Sequence, residues 1–163
     1  MKKLILTILP LFVMWSADGA DKVIEVPPCS GDATAAIQQT IDSVATFKGK
    51  PVTIRLAPGN YDISREHSSR HLYHISNTAS AEENPDQTKH IGLRFRNLNN
   101  VTFDGNGATL VTHGEMTPLV ADGCTNITLG GFTLTAADRA SARGAPMPDL
   151  PILCRCRGAA AKS

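Results

Sequence analysis

The chain has 163 residues and a formal net charge of +1, with 42% hydrophobic and 5% aromatic residues. This length suits one domain with a single hydrophobic core. The near-neutral charge, and the lack of a basic stripe or an aromatic platform in the sequence, argue against nucleic acid as a partner.

The first 19 residues have the features of an export signal. A basic pair at Lys2 and Lys3 precedes an apolar run over residues 4–15, and small residues suited to cleavage follow at Ala17 and Gly19. The sequence therefore predicts a signal peptide and an exported protein that is periplasmic, cell-surface or secreted. No membrane association is expected after cleavage. The alternative interpretation is a buried N-terminal strand or helix.

Short alternating segments and one helical pattern follow the signal. Val23–Val26 alternates, and residues 33–44 then repeat apolar side chains at three- and four-residue steps. Asp32 is suited to cap the helix that this spacing predicts. Val52–Leu56 alternates cleanly, and a Pro-Gly-Asn turn leads into an extended segment at residues 61–63. This order predicts a capping helix followed by two strands.

Two segments near the middle of the chain repeat one pattern. Asn100-Val-Thr-Phe103 and Asn126-Ile-Thr-Leu129 begin 26 residues apart, and each alternates apolar positions before a glycine-containing turn. A period of that size in β-forming sequence indicates a solenoid whose coils stack on one another. The sequence therefore predicts a mainly β fold, a right-handed parallel β-helix with an N-terminal capping α-helix, over residues 20–138. Both asparagines begin a glycosylation sequon, but stacking of their side chains along the coils is the preferred interpretation.

The repeating pattern stops after Asp138. Residues 139–163 contain four arginines, three prolines and six alanines, and no alternation continues there. One interpretation is a disordered tail. The favoured one is a frameshifted or truncated gene product, because the break falls where the next strand should continue.

Four motifs occur in a fixed order along the chain. They are His74-Ile-Ser-Asn-Thr78, His90-Ile-Gly-Leu93, Asp104-Gly-Asn-Gly-Ala-Thr-Leu110 and His113-Gly-Glu-Met-Thr117. Together they resemble the N-terminal part of glycoside hydrolase family 110, the exported bacterial α-1,3-galactosidases with a β-helix core. The resemblance implies an exo-acting, inverting hydrolase that removes terminal α-1,3-linked galactose, including that of blood-group-B-type glycans.

The resemblance also sets limits on what this chain is expected to do. Inversion needs two carboxyl groups about 6.5–9.5 Å apart, with room for a water between them. The family's catalytic carboxylates lie in later coils, so no catalytic residue is assigned here and a truncated, inactive fragment is expected. The implied partner is a glycan, and no cofactor is expected. A polysaccharide lyase and a non-catalytic glycan-binding β-helix stay open as alternatives.

A few polar residues are candidates for a site. Glu115 and His113 are the candidates for contact with a sugar, although a solvated loop acid is the plainer interpretation of Glu115. Asp104 is expected to bind the backbone of its own turn. The histidines that recur at helical spacing, which could suggest a metal triad but are favoured as surface residues, are His67, His71 and His74.

Export permits disulfides among the four cysteines. Their pairing is left open by the sequence, and Cys124 is favoured as a small core residue. The cysteines are Cys29, Cys124, Cys154 and Cys156.

Overall fold

The computed structural model describes residues 21–73, 86, 88–137, 152–157 and 160–161. This part of the chain is mainly β, with a single α-helix, which confirms the predicted fold class at that level. The strands are β1 (Lys22–Val26), β2 (Val52–Leu56), β3 (Asn60–Ser64), β4 (Ser69–Leu72), β5 (Thr88–Arg96), β6 (Asn99–His113), β7 (Thr117–Ala136), β8 (Ile152–Arg157) and β9 (Ala160–Ala161). The helix α1 spans Thr34–Ser43, and short 3-10 turns span Val44–Phe47 and Arg65–His67.

The first ladder of parallel strands joins β1, β2, β6 and β7. Ile24 pairs with Ile54, Ile54 with Phe103, and Phe103 with Leu129. The last pair has the 26-residue offset read from the sequence, so the predicted stacking of these two segments is confirmed. Because paired residues point to the same face, the alternation of each strand adds one more apolar layer to the same core.

Two further ladders use the remaining strand segments. In the second, β3 pairs with the second half of β6, which pairs with the end of β7, so that Tyr61, Leu110 and Leu134 share one layer. In the third, β5 pairs with the start of β7 and β7 with β8, all parallel. β4 adds to the free edge of β5 in the antiparallel sense, so the sheet as a whole is mixed.

Aromatic side chains from the three ladders meet in one core. Phe95, Phe103 and Phe132 pack edge to face in sequence, with ring centroids 5.4 and 5.8 Å apart. Tyr61 is buried as well, and its hydroxyl donates to the carbonyl of Val26 at 2.8 Å. Burial of these rings removes apolar surface from water, which stabilises the fold. The edge-to-face contacts between the rings add further stabilisation.

The helix α1 covers one end of the third ladder. It buries Ile37 and Ile41 on its apolar stripe, as the spacing predicts. Off that stripe, the Gln38 side chain accepts from the Arg94 amide at 2.8 Å and donates to the Arg94 carbonyl at 3.0 Å. A glutamine amide thus takes the place of a neighbouring strand at an otherwise open edge. No helix in the described part of the chain is long and apolar enough to cross a membrane.

Several predicted boundaries fall outside these residues. The predicted signal peptide at 1–19 and residues 74–85, which include the motif at residues 74–78, lie outside the described part of the chain. Within the predicted atypical tail, 139–163, the strands β8 and β9 pair in parallel with β7. The division of the chain into signal, coils and tail stays a prediction.

Candidate functional site

The predicted sugar contacts His113 and Glu115 lie where β6 ends and turns into β7. His113 is the last residue of β6 and pairs in register with Ser64. Its Nε2 hydrogen-bonds to Oδ1 of Asp62 at 2.7 Å, and both side chains are about half exposed. Glu115 is exposed in the turn that follows. The structure therefore places His113 against the side chain of Asp62 on the neighbouring strand β3 and leaves Glu115 exposed to solvent.

Gly114, between those two residues, is required by the shape of the turn. Its φ is +84°, a conformation that residues with a Cβ adopt at a cost. A Cβ there would also lie 3.0 Å from Cβ of Arg65. The glycine therefore lets the turn pack against the 3-10 turn that follows β3.

A second carboxylate, Asp32, joins the helix α1 to this region. Its Oδ1 accepts from the Thr34 amide at 2.9 Å and from the Ser64 amide at 3.3 Å, and its Oδ2 hydrogen-bonds to Nδ1 of His67. The Ala33 amide donates to the Asp62 carbonyl at 2.7 Å. The N-cap position of α1 is Ala33, which has no side-chain cap, so the predicted cap at Asp32 is displaced by one residue. Asp32 instead bonds the first amide of the helix and holds it to the end of β3.

The hydrogen bonds to Asp32 decide its ionisation. Burial by itself would raise the pKa of this carboxyl. The Thr34 hydroxyl and amide, His67 and the Ser64 amide all favour the charged form and outweigh burial, so the pKa lies below its ordinary value. Asp32 is therefore a carboxylate at neutral pH and an acceptor only.

Two carboxylate–imidazole pairs thus stand at one edge of the fold, Asp32 with His67 and Asp62 with His113. Such pairs can donate to and accept from sugar hydroxyls, which is the chemistry a glycan site needs. The sequence missed both acids as partners. Alternation shows that Asp62 points outward, but its contact with His113 depends on the register between β3 and β6, which no local pattern gives.

Two of the three histidines considered as a metal triad form hydrogen bonds to side chains elsewhere in the fold. His67 binds Asp32, and Nε2 of His71 hydrogen-bonds to Arg94. His74 lies outside the described residues. In the described ranges no cluster of three or more His, Cys, Asp or Glu side chains has the arrangement of a metal site.

Asp104 has the role predicted for it in the turn. Its Oδ1 accepts from the Asn106 amide at 2.9 Å. Its Oδ2 also pairs with Nε of Arg55 at 3.1 Å, across adjacent strands of the first ladder. The interpretation of Asp104 as a residue that binds its own turn is therefore confirmed.

The cysteines that the structure describes in full differ in exposure. Cys29 is exposed and Cys124 is buried, with its Sγ 3.5 Å from the Phe95 carbonyl. The interpretation of Cys124 as a core residue is confirmed. Cys154 and Cys156 lie in β8.

Comparison with known proteins finds relatives named alpha-1,3-galactosidase. No protein-family model matches the chain. It is 42% identical over 123 residues to alpha-1,3-galactosidase A of Bacteroides thetaiotaomicron, an alignment that covers 76% of this chain and 22% of the relative. The resemblance to glycoside hydrolase family 110 is confirmed.

Two further relatives of family 110 agree with this finding. Alpha-1,3-galactosidase A of Bacteroides fragilis is 35% identical over 107 residues, covering 66% of this chain and 17% of the relative. Alpha-1,3-galactosidase B of B. thetaiotaomicron is 32% identical over 121 residues, covering 71% and 18%. The chain thus spans about a fifth of the length of the curated family 110 relatives that it matches.

Proposed function

We propose that residues 20–138 form N-terminal coils of a right-handed parallel β-helix in an exported α-1,3-galactosidase. The proposed enzyme is exo-acting and inverting, and it removes terminal α-1,3-linked galactose from glycans of the blood-group-B type. The observation that carries the proposal is the similarity to relatives named alpha-1,3-galactosidase, at up to 42% identity.

The strand pairing supports the proposed fold. Three ladders in which strands from successive parts of the chain pair in parallel are what a three-faced coil produces, since each turn adds one strand to each face. β6 and β7 each contribute to more than one ladder, as a chain does when it runs around a coil. The helix α1 then covers the first coil.

The site supports a glycan as partner but supplies no assigned catalytic pair. We propose that His113 and Glu115 contact the sugar, with Asp62 orienting the imidazole through its 2.7 Å hydrogen bond. Inversion requires an acid and a base separated by about 6.5–9.5 Å. We propose that this pair comes from coils other than those described here, so that this chain alone releases no galactose.

A chimera tests the proposal. Residues 21–137 of this chain replace the aligned region of a curated α-1,3-galactosidase, and galactose release from α-1,3-galactobiose is followed by NMR. The expected result is release of galactose first seen as the β-anomer, because inversion of an α-linkage gives that anomer. The chain by itself is expected to release none.

Two controls make the result interpretable. A chimera with Gly105→Val is expected to be inactive, because a Cβ at this position would lie 2.4 Å from Cβ of Phe132. The parent enzyme, assayed alongside, shows that the substrate is competent. A chimera that folds but releases no galactose contradicts the proposal.

The predicted signal peptide is tested separately, and export is part of the proposal. Expression of the full chain in a bacterial host is expected to yield a mature protein that begins near residue 20 in the exported fraction. An unprocessed chain retained in the cytoplasm contradicts that part.

A further inference from the structure

A second polar cluster lies on the outward side of the third ladder. Leu93 and Phe95 of β5 are fully buried, so the alternate residues Arg94 and Arg96 face outward. Arg96 pairs in register with Asp122 of β7. Residues paired in this way share a face, so the Arg96 side chain lies on the same face as the Asp122 carboxylate of the neighbouring strand.

Tyr73 lies against this pair of strands. Its hydroxyl donates to Oδ2 of Asp122 at 3.3 Å. Its ring packs edge to face on His71, with centroids 6.3 Å apart and planes at 74°. His71 in turn accepts a hydrogen bond from the Arg94 guanidinium. Contacts with Asp122 and His71 therefore fix the position of the phenol ring, while Tyr73 as a whole is only partly buried.

The surroundings fix the protonation of both rings near neutral pH. Burial, followed by the charge of Asp122, raises the pKa of Tyr73, so the phenol stays a neutral donor. Burial, followed by the charges of Arg94 and Arg96, lowers the pKa of His71, so the imidazole is neutral and accepts. The cluster therefore presents an aromatic ring, a carboxylate and guanidinium groups in one fixed state.

We propose that Tyr73, Arg94 and Asp122 form a galactoside-binding subsite separate from the His113–Glu115 turn. Galactopyranosides have an apolar face around C3 to C5 that packs on an aromatic ring. Their 3- and 4-hydroxyls form a neighbouring pair that donates to a carboxylate and accepts from a guanidinium. Because His71 and Asp122 already hold Tyr73, binding orders few side chains.

The choice of sugar in this inference rests on the proposed function, whereas the choice of residues rests on geometry alone. The experiment titrates the full chain with methyl α-galactopyranoside, and in parallel with methyl α-glucopyranoside, which differs only at the 4-hydroxyl. Binding is followed by NMR chemical-shift changes. The galactoside is expected to bind and the glucoside to bind several-fold more weakly.

Variants locate the binding. Asp122→Asn and Tyr73→Ala are each expected to weaken galactoside binding roughly tenfold, since each removes a charge-assisted hydrogen bond or the stacking ring. Tyr73→Phe keeps the ring and its packing on His71, and a loss of only a few-fold is expected. The matched control is Asp104→Asn, because Asp104 is also an outward carboxylate beside an arginine, 3.1 Å from Arg55 on the first ladder. This control is expected to bind as the parent chain does.

Three results overturn the inference: no galactoside binding, equal binding of the glucoside, or unchanged binding by Asp122→Asn and Tyr73→Ala. Amide spectra of these two variants establish that they are folded. The outcome is separable from the proposed function, because the chimera reports hydrolysis and this titration reports binding by the chain alone. An active chimera with no titratable subsite removes this inference only.

Discussion

Asn126 donates a hydrogen bond from its Nδ2 to Oδ1 of Asn100, 2.6 Å away, and so links two adjacent strands of the first ladder. Asn100 donates in turn to the Gly49 carbonyl at 2.7 Å. Both asparagines have positive φ, 57° and 51°. Asparagine tolerates this conformation better than most residues, because its short side chain bonds locally. The sequence interpretation that these two side chains hydrogen-bond to one another from equivalent positions is thereby confirmed.

Replacement of Asn100 by alanine is expected to destabilise the fold by about 2 kcal/mol, measured by urea unfolding. The variant loses the hydrogen bond to Gly49 and the one from Asn126, and it strains the backbone. Asn106→Ala is the matched control. Asn106 also has positive φ, 47°, but here the hydrogen bond to Asp104 uses its backbone amide, which alanine keeps.

The difference between these two variants isolates the side-chain ladder from the backbone strain. Asn106→Ala is expected to cost about 1 kcal/mol, from strain alone. Equal costs for the two variants would show that the ladder contributes nothing to stability.

Close packing at Gly105 predicts a larger effect. A Cβ there would lie 2.4 Å from Cβ of Phe132 and 2.8 Å from the Gly131 backbone, so β6 and β7 would have to separate. Gly105→Ala is therefore expected to cost about 3 kcal/mol or more in thermal or urea unfolding. Gly107→Ala is the control, because nothing lies within 4 Å of its Cβ position and only its φ of +80° is strained. A loss at Gly105 no greater than that at Gly107 contradicts the packing argument.

Local periodicity in the sequence predicted the apolar layers of the core, but it did not predict the side-chain contacts between distant segments. Alternation in Val52–Leu56 and the 26-residue repeat were enough to predict which side chains stack, because each paired strand keeps the same face inward. The sequence predicted a glycine-containing turn after Asn100–Phe103, whereas the structure continues β6 from Asn99 to His113 through an irregular register between Asp104 and Ala108.

The candidate site was predicted less completely than the layers. His113 was singled out from a motif, but Asp62 was not, because their contact depends on how β3 and β6 align, and the two residues are 51 positions apart in the sequence. The subsite at Tyr73 was missed for the same reason, since Asp122 lies on another strand 49 residues away. Neither pairing leaves a periodic signal.

The ionisation of Asp32 predicts a loss of stability in acid. Its folded pKa is lower than its unfolded value of about 3.9, so the native state favours the carboxylate more than the unfolded chain does. This contribution is fully present above the unfolded value and is lost as the pH falls through the folded one. The groups that face the carboxylate are the Thr34 and Ser64 donors and His67.

Asp32→Asn tests that dependence. The variant is expected to be about 1 kcal/mol less stable at pH 7, and the difference from the parent chain is expected to shrink toward pH 3. Urea unfolding at pH 7, 5 and 3 measures it. Glu25→Gln, at an exposed position on β1, is the control for a general change in charge. A constant difference across the three pH values contradicts the assignment.

The hydrogen bonds between Gln38 and Arg94 predict that loss of the Gln38 side chain increases opening at the edge of β5 more than opening of the whole fold. Gln38→Ala leaves the Arg94 amide and carbonyl without their side-chain partner at the edge of β5, and a cost of about 1–2 kcal/mol is expected. Exchange of the Arg94 amide with deuterium is expected to accelerate more than that of amides in the middle of β6, because the opening is confined to this edge. Gln39→Ala, at the next and exposed helix position, is expected to change neither quantity. Unaltered exchange at Arg94 in Gln38→Ala would show that other contacts protect this edge.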